Sequence, residues 1–126
     1  MNSRKLINSF IRRFSDYIAL NSNLYLSHKP DMHTKLIPGY FPDTTKNIDP
    51  NNRYALVHLD ADLYNPQISG LEYFYPRMTH GGVIIIHDCN NEYFGSKKAL
   101  DEFFLDKPET PIVIPDKSGS AVVVKL

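Results

Sequence analysis

The chain has 126 residues, of which 42% are hydrophobic and 22% are charged, a composition typical of one globular domain and not of a disordered chain. Its 14 basic and 14 acidic residues cancel, which disfavours a nucleic-acid partner because such binders usually carry a basic excess. The sequence shows no apolar run near the roughly 18 residues of a membrane span, and we expect no signal peptide, because the basic N-terminus is followed by mixed apolar and charged residues. The single cysteine, Cys89, excludes an internal disulfide. We therefore expect a cytoplasmic protein with no nucleic-acid or membrane partner.

The first third of the chain is predicted to be helical and then to enter a short strand. Apolar residues recur at helical spacing between Leu6 and Ile18, which predicts an amphipathic helix over residues 4–20. Lys35–Ile37 is predicted to be a short strand that ends at Pro38-Gly39. A structured loop is expected at Phe41–Thr44.

Two strongly apolar segments predict the central strands. Tyr54–Leu59 is nearly continuously apolar, the pattern of a strand buried on both faces, and Val83–Ile86 is β-branched throughout. Between them, Asn65-Pro66 is interpreted as an N-cap followed by proline at the first helical position. Pro76 is expected to end this helix, and His80–Gly82 is expected to turn the chain.

The last third predicts one more helix and a hairpin. After Gly95-Ser96, four apolar residues share one helical face: Ala99, Leu100, Phe103 and Phe104. Pro111–Pro115 and Ala121–Val124 are predicted strands joined by a turn around Asp116–Gly119. Because that link is too short for a crossover helix, we expect an antiparallel hairpin at one edge. The order of strands and helices predicts an α/β fold whose two central strands are parallel.

Acidic side chains and a histidine follow the two central strands. Asp60 and Asp62 come just after the first strand, and His87-Asp88 follows the second. The carboxyl ends of neighbouring parallel strands meet at one edge of the sheet. Three carboxylates and an imidazole would then converge and attract a cation. The competing interpretation is that these acids only cap the next helix or face water.

The remaining histidines and the cysteine have ordinary structural interpretations. His58 is interpreted as a hydrogen-bonded strand residue and not as a ligand. His28, His33 and His80 lie in turn-like segments and are expected at the surface. Cys89 has no base beside it in the sequence, so it is weak evidence for a nucleophile.

Several linked motifs follow one another along the chain. They are, in order, Gly39–Thr44, Ala55–Tyr64, Tyr73–Arg77, Gly81–Asp88 and Gly95–Phe103. Together they resemble the macrocin O-methyltransferase family, a group of class I S-adenosylmethionine-dependent enzymes that methylate sugar hydroxyls on natural products. The resemblance covers roughly residues 36–126. It implies an incomplete Rossmann-like methyltransferase fold, with a mostly parallel sheet and a C-terminal antiparallel hairpin.

The resemblance also implies roles for individual residues. The family's metal-ligand positions hold Asp60, His87 and Asp88 in this chain. Asp62 stands at the position of the general base, and the implied cofactor contacts are Tyr40, Phe41 and Asp60. His87 is a departure, because the family usually has aspartate there. The implied metal is magnesium, but an imidazole opens the choice to zinc, iron, nickel or manganese.

A second departure concerns the cofactor. Class I methyltransferases begin with a strand and a glycine-rich loop, whereas the first glycine here is Gly39, and the expected ribose-binding acid has no candidate. We therefore expect a single N-terminally truncated methyltransferase domain, with a helical segment at residues 1–30 and a sheet-and-helix core at 34–126. Its expected partners are a small-molecule hydroxyl acceptor and either a second copy of the chain or a missing N-terminal half.

The function implied is metal-assisted transfer of a methyl group from S-adenosylmethionine to a hydroxyl of a sugar or similar small molecule. Two alternatives stay open. The chain could be a non-catalytic remnant, or a binding or assembly module, that has lost cofactor binding. It could also be a metal-dependent hydrolase that uses the same acidic rim, formed by Asp60, Asp62, His87 and Asp88. A metal held by carboxylates also activates water.

Overall fold

The structure is a computed structural model that describes residues 35, 37–89, 94–117 and 119–126. Within it, Ile37–Leu126 form one compact unit, and the fold is that of this unit. The helix predicted over residues 4–20, the segment 1–30 and both His28 and His33 lie outside the described residues.

The described elements alternate between strands and helices. In chain order they are a 3-10 helix (Asp43–Asn47), β1 (Tyr54–Leu59), α1 (Tyr64–Phe74), a second 3-10 helix (Tyr75–Arg77), β2 (Met78–Ile86), α2 (Phe94–Phe103), β3 (Ile112–Val113) and β4 (Ala121–Val124). The strands form one sheet in the order β1-β2-β4-β3. β1 and β2 are parallel, whereas β4 is antiparallel to β2 and β3. The α/β class, the parallel central pair and the C-terminal hairpin are confirmed. The described part of the sheet is mixed, with one parallel pairing and two antiparallel ones.

The core lies between one face of the sheet and helices α1 and α2. Leu71 of α1, Ile84 and Ile86 of β2 and Leu100 of α2 are at most 2% exposed. Burying a side chain of this size stabilises the fold by about 1.5–3 kcal/mol relative to exposure. This packing fixes the ends of β1 and β2 relative to each other. None of the described helices is long and apolar enough to cross a lipid bilayer.

The prediction that the first central strand is buried on both faces is wrong. Val57 and Leu59 of β1 are 7% exposed, but Leu56 is 62% exposed and His58 is also exposed. Alternate residues of a strand point to opposite faces. Among the described elements, the helices pack on the face that carries Val57 and Leu59.

Helix α1 begins earlier than predicted. Its first residue is Tyr64, and Leu63 stands at the N-cap without a side-chain capping hydrogen bond, so Asn65 is not the cap. Pro66 lies in the first turn, where its missing N–H would have no intrahelical acceptor. The helix ends at Phe74, just before Pro76, as the sequence indicates.

The predicted turn at His80–Gly82 lies inside strand β2 as an irregularity. Tyr54 of β1 pairs with Met78, whereas Leu56 pairs with Val83, so β2 carries extra residues between these two pairs. Gly81 has φ 75°, and its N–H donates to the Lys125 carbonyl at 2.8 Å. Pairing with the segment after β4 therefore keeps this stretch in the sheet.

Three shorter predictions also need correction. Lys35 and Ile37 are described and are not in a strand, and Leu36 lies outside the described residues. The predicted strand at 111–115 shrinks to Ile112–Val113, since the prolines that flank it cannot donate ladder hydrogen bonds. Gly95 and Ser96 lie in the first turn of α2 and do not precede it.

Candidate functional site

The carboxyl ends of β1 and β2 lie side by side. Leu59 is paired with Ile86, and the His87 N–H donates to the Leu59 carbonyl at 2.9 Å. The parallel ladder therefore continues one residue past the end of β2. It places Asp60 opposite the His87-Asp88 segment, as the sequence predicts.

Three of these side chains form a compact group of metal-ligating atoms. His87 Nδ1 lies 3.1 Å from Asp88 Oδ1 and 3.4 Å from Asp60 Oδ1. One ligand atom from each of the three residues lies within 4.8 Å of the others. Asp60 is half exposed, whereas the Asp88 side chain is only 10% exposed. The group thus joins the protein interior to the solvent-facing rim of the sheet.

Two aspartates of the rim have left-handed backbone conformations. Asp62 and Asp88 both have φ 57°, a region that few residues other than glycine adopt, although aspartate does so more readily than most. Each follows closely after a strand, so the chain turns sharply there and brings its carboxylate back to the rim. Strained backbone of this kind is concentrated at functional sites.

The carboxylates perturb one another's proton affinity. The pKa of Asp62 is raised, first by partial desolvation and then by a hydrogen bond with the Asp88 carboxyl, which needs a shared proton. The charges of Asp88 and Asp60 raise this pKa further, whereas the charge of nearby His87 lowers it. The Asp88 carboxylate beside the ring raises the pKa of His87; burial lowers it, and the charge of Asp60 raises it further. The rim therefore favours a positive charge, from either a proton or a metal ion.

Two features that support the rim were missed by the sequence interpretation. A Cβ on Gly95 would lie 2.7 Å from the Tyr64 backbone nitrogen and 3.0 Å from the Asp62 carbonyl oxygen, so the first turn of α2 packs directly on the Asp62 loop. The Cys89 N–H donates to the Gly119 carbonyl at 2.8 Å, which ties the end of β2 to the β3–β4 turn. Gly95 carries no such signal in a single sequence, because its close contacts are with residues 31 to 33 positions earlier in the chain.

Among the other candidate residues, Cys89 and His80 lie where the sequence interpretation expects them, whereas the hydrogen bond predicted for His58 is not among the contacts of the described residues. Cys89 is 1% exposed, and burial raises its pKa to about 11, so it is a core residue and not an activated nucleophile. His58 is exposed on β1, with its ring centroid 6.1 Å from that of His87. His80 is exposed on β2.

The predicted cofactor contacts lie on the segment before the first 3-10 helix. Tyr40 is 79% exposed, whereas Phe41 is half-buried. The Phe41 ring reaches to 3.6 Å from the position of a Cβ on Gly70, beside the Leu59 side chain. Phe41 therefore lies near the end of β1, and the Tyr40 ring is free to contact a ligand. The third predicted cofactor contact, Asp60, lies in the metal-ligating group.

The sequence model described as Macrocin-O-methyltransferase (TylF) matches residues 22–119, which is most of the chain. The chain belongs to the macrocin O-methyltransferase family. This match confirms the resemblance that the linked motifs indicate.

Named relatives match a shorter segment. The chain is 40% identical over 58 residues to the 8-demethyl-8-(2,3-dimethoxy-alpha-L-rhamnosyl)-tetracenomycin-C 4'-O-methyltransferase of Streptomyces olivaceus. It is 36% identical over 58 residues to the mycinamicin III 3''-O-methyltransferase of Micromonospora griseorubida. Each match covers 46% of this chain and only 22% of the relative.

Solved structures show the same fold over a larger share of the chain. The O-methyltransferase NovP superposes with a TM-score of 0.69 at 24% identity and covers 82% of this chain, which corresponds to 42% of NovP. CalS11, a TDP-rhamnose 3'-O-methyltransferase, superposes with a TM-score of 0.54 at 23% identity, over 66% of this chain and 36% of CalS11. This chain therefore spans less than half of either structure.

Proposed function

We propose that this chain carries the catalytic rim of an S-adenosylmethionine-dependent O-methyltransferase that acts on a hydroxyl of a sugar or similar small molecule. The supporting observation is that Asp60, Asp62, His87 and Asp88 converge at the ends of two parallel strands in a member of this family. By their names, the two relatives are O-methyltransferases, one acting at the 4' position of a rhamnosyl-tetracenomycin and the other at the 3'' position of mycinamicin III.

The donor set fits a divalent metal. Ligands that share one ion at about 2.1 Å lie about 3 to 4 Å apart, and the His87 Nδ1 distances of 3.1 and 3.4 Å fall in that range. Asp60, His87 and Asp88 would hold the ion. When bound, such an ion acts as a Lewis acid that lowers the pKa of a hydroxyl.

Asp62 is the residue that we assign as general base. It lies two residues past Asp60, and its carboxyl contacts Asp88 without belonging to the metal-ligating group. Partial desolvation and the neighbouring carboxylates raise its pKa. This brings its proton affinity closer to that of a base that works near neutral pH. Asp62 would accept the hydroxyl proton of the acceptor, while Asp60 and Asp88 would hold the cation.

The described residues fit only part of the cofactor, which supplies the methyl group when bound. The exposed Tyr40 ring and the Asp60 carboxylate offer contacts at the rim. A glycine-rich loop is not among the described residues before β1, where Gly39 stands alone. This observation favours a second candidate function, a binding or assembly module that shares the fold without the cofactor site.

Replacing the homologous C-terminal segment of a complete family member with residues 37–126 of this chain tests the proposal. We expect the hybrid to transfer a labelled methyl group to the hydroxyl acceptor of its parent. Asp62→Asn should then lower the turnover by about 10²–10⁴-fold, the usual contribution of a general base. Asp106→Asn, which changes an exposed carboxylate outside the rim, is the matched control.

Two results would contradict this assignment. A folded hybrid that binds S-adenosylmethionine but transfers no methyl group would favour the binding module. Equal turnover of the Asp62→Asn and Asp106→Asn hybrids would remove Asp62 from the reaction.

A further inference from the structure

His87 presents a nitrogen to the two carboxylates of the rim. Its Nδ1 atom is shielded from solvent and has no aligned hydrogen bond, although Asp88 Oδ1 and Asp60 Oδ1 lie 3.1 and 3.4 Å away. A buried ring nitrogen without a hydrogen-bond partner is costly unless another group satisfies it. A metal ion shared with Asp60 and Asp88 would satisfy it.

An imidazole nitrogen changes which ion such a site prefers. Mg²⁺ favours oxygen ligands and keeps several of its waters, whereas imidazole suits Zn²⁺, Fe²⁺, Ni²⁺ and Cu²⁺. With His87, the group offers one nitrogen and two carboxylates as ligands. An aspartate in place of His87 would leave oxygen ligands only. One of the carboxylates, Asp88, belongs to a residue with an exposed fraction of only 7%, so the group is anchored in the protein interior on one side, while Asp60 on the other side is half exposed.

We infer that His87 coordinates a divalent ion through Nδ1 and that this site selects a transition-metal ion over Mg²⁺. The inference rests on the metal site of the proposed function and adds the class of ion. The rival arrangement is a protonated His87 that forms ion pairs with Asp60 and Asp88. In that arrangement the imidazolium itself is the cation of the rim.

Metal titration of the full chain tests the inference without any need for activity. Calorimetry with Zn²⁺, Mn²⁺ and Mg²⁺ measures the preference, and the visible absorption of bound Co²⁺ reports whether nitrogen is a ligand. We expect His87→Asp to reduce the ratio of Zn²⁺ to Mg²⁺ affinity by at least about tenfold, the lower end of what even outer-shell partners of a metal contribute. The Co²⁺ spectrum should also change. His80→Asp, at an exposed histidine of β2, is the matched control.

The outcomes separate this inference from the metal site itself. If Asp60→Asn and Asp88→Asn weaken binding but His87→Asp leaves both the ion preference and the Co²⁺ spectrum unchanged, the inference is wrong and the metal site stands. If the unchanged chain binds none of the ions, both the inference and the metal part of the proposed function are overturned. Loss of preference in His87→Asp but not in His80→Asp supports the inference.

Discussion

The positions of the Asp62 and Asp88 carboxyls depend on the backbone torsions of these two residues. Each adopts φ 57° shortly after a strand, and without that turn the two carboxyls would not meet. The sequence predicts which acids reach the rim, because strand ends in an open α/β sheet determine it. It could not predict the contact between Asp62 and Asp88, since a left-handed aspartate has no marker in one sequence.

In the metal-free protein, Asp62 is expected to lower the stability of the fold at neutral pH. Its pKa is raised in the folded state, so the protein binds this proton more tightly when folded. The associated stability is complete below the unfolded value near 3.8 and is lost as the pH rises through the folded pKa. Asp62→Asn should therefore raise the melting temperature at pH 7 in the presence of a chelator, and have little effect near pH 3.

Asp116 provides a control of opposite sign. Hydrogen bonds from Ser120, including one from its backbone N–H at 2.9 Å, lower the pKa of Asp116. Its contribution is present above the unfolded pKa and is lost as the pH falls. Asp116→Asn should lower the melting temperature at pH 7. A lower melting temperature for Asp62→Asn as well would contradict the repulsion described for the rim.

At the scale of elements, buried Glu109 connects the residues that follow β4 to Tyr75, just after the end of α1. Its carboxylate accepts hydrogen bonds from Tyr75 Oη at 2.8 Å, from Lys125 Nζ at 2.8 Å and from the Leu126 N–H at 3.1 Å. Burial disfavours the charge, but these three donors outweigh it and hold the pKa of Glu109 at about 2. The sequence gives no sign of this network, because its members lie far apart in the chain.

Glu109→Gln should destabilise the protein at neutral pH by about 1–3 kcal/mol, the usual cost of losing a charged hydrogen bond in the interior. The pKa of Glu109 is depressed below its unfolded value near 4.5. Its contribution is therefore complete above pH 4.5 and disappears as the pH falls toward about 2. Urea unfolding at pH 7 and pH 3 measures this difference. Exposed Glu72→Gln is the control, and equal unfolding free energies for the two variants would rule out the network.

The junction of α1 and α2 depends on one glycine. A Cβ at Gly95 would meet the backbone of Asp62, Leu63 and Tyr64 at 2.7 to 3.1 Å, and backbone cannot move aside as a flexible side chain can. Gly95→Ala should destabilise the fold by about 1–3 kcal/mol, as overpacking does, and should shift the amide NMR signals of the Asp62 loop. Asp101→Ala, at an exposed position of the same helix, should leave those signals in place.

Element types were predicted better than element boundaries. β-branched Val83–Ile86 and the apolar face of α2 determine a strand and a helix through local pattern alone. The start of β2 at Met78 depends instead on pairing with β1 and with Lys125. The exposure of Leu56 depends on which elements cover β1. Both are tertiary properties, and local periodicity carries no information about them.

At the scale of the whole molecule, the described fold ends in two strand edges. β1 and β3 stand at the two sides of the described sheet, and Leu56, Ile112 and Val113 on them are more than half exposed. Unpaired edges with apolar residues favour pairing with another chain. A second copy of this chain or a separate N-terminal half stays a prediction for the partner at these edges.

The last prediction is that the chain binds S-adenosylmethionine weakly or not at all by itself. Close approach to such a cofactor needs backbone without side chains, and no glycine precedes Gly39 in the sequence. The Tyr40 ring and the Asp60 carboxylate, both exposed, would leave most of the ligand in water, and a few exposed contacts do not offset the entropy lost on binding. Isothermal titration of the purified chain, with its mass in solution measured in parallel, is the decisive measurement. Saturable binding in the low micromolar range by a monomer would contradict the prediction, and would mean that residues before Gly39 complete the cofactor site.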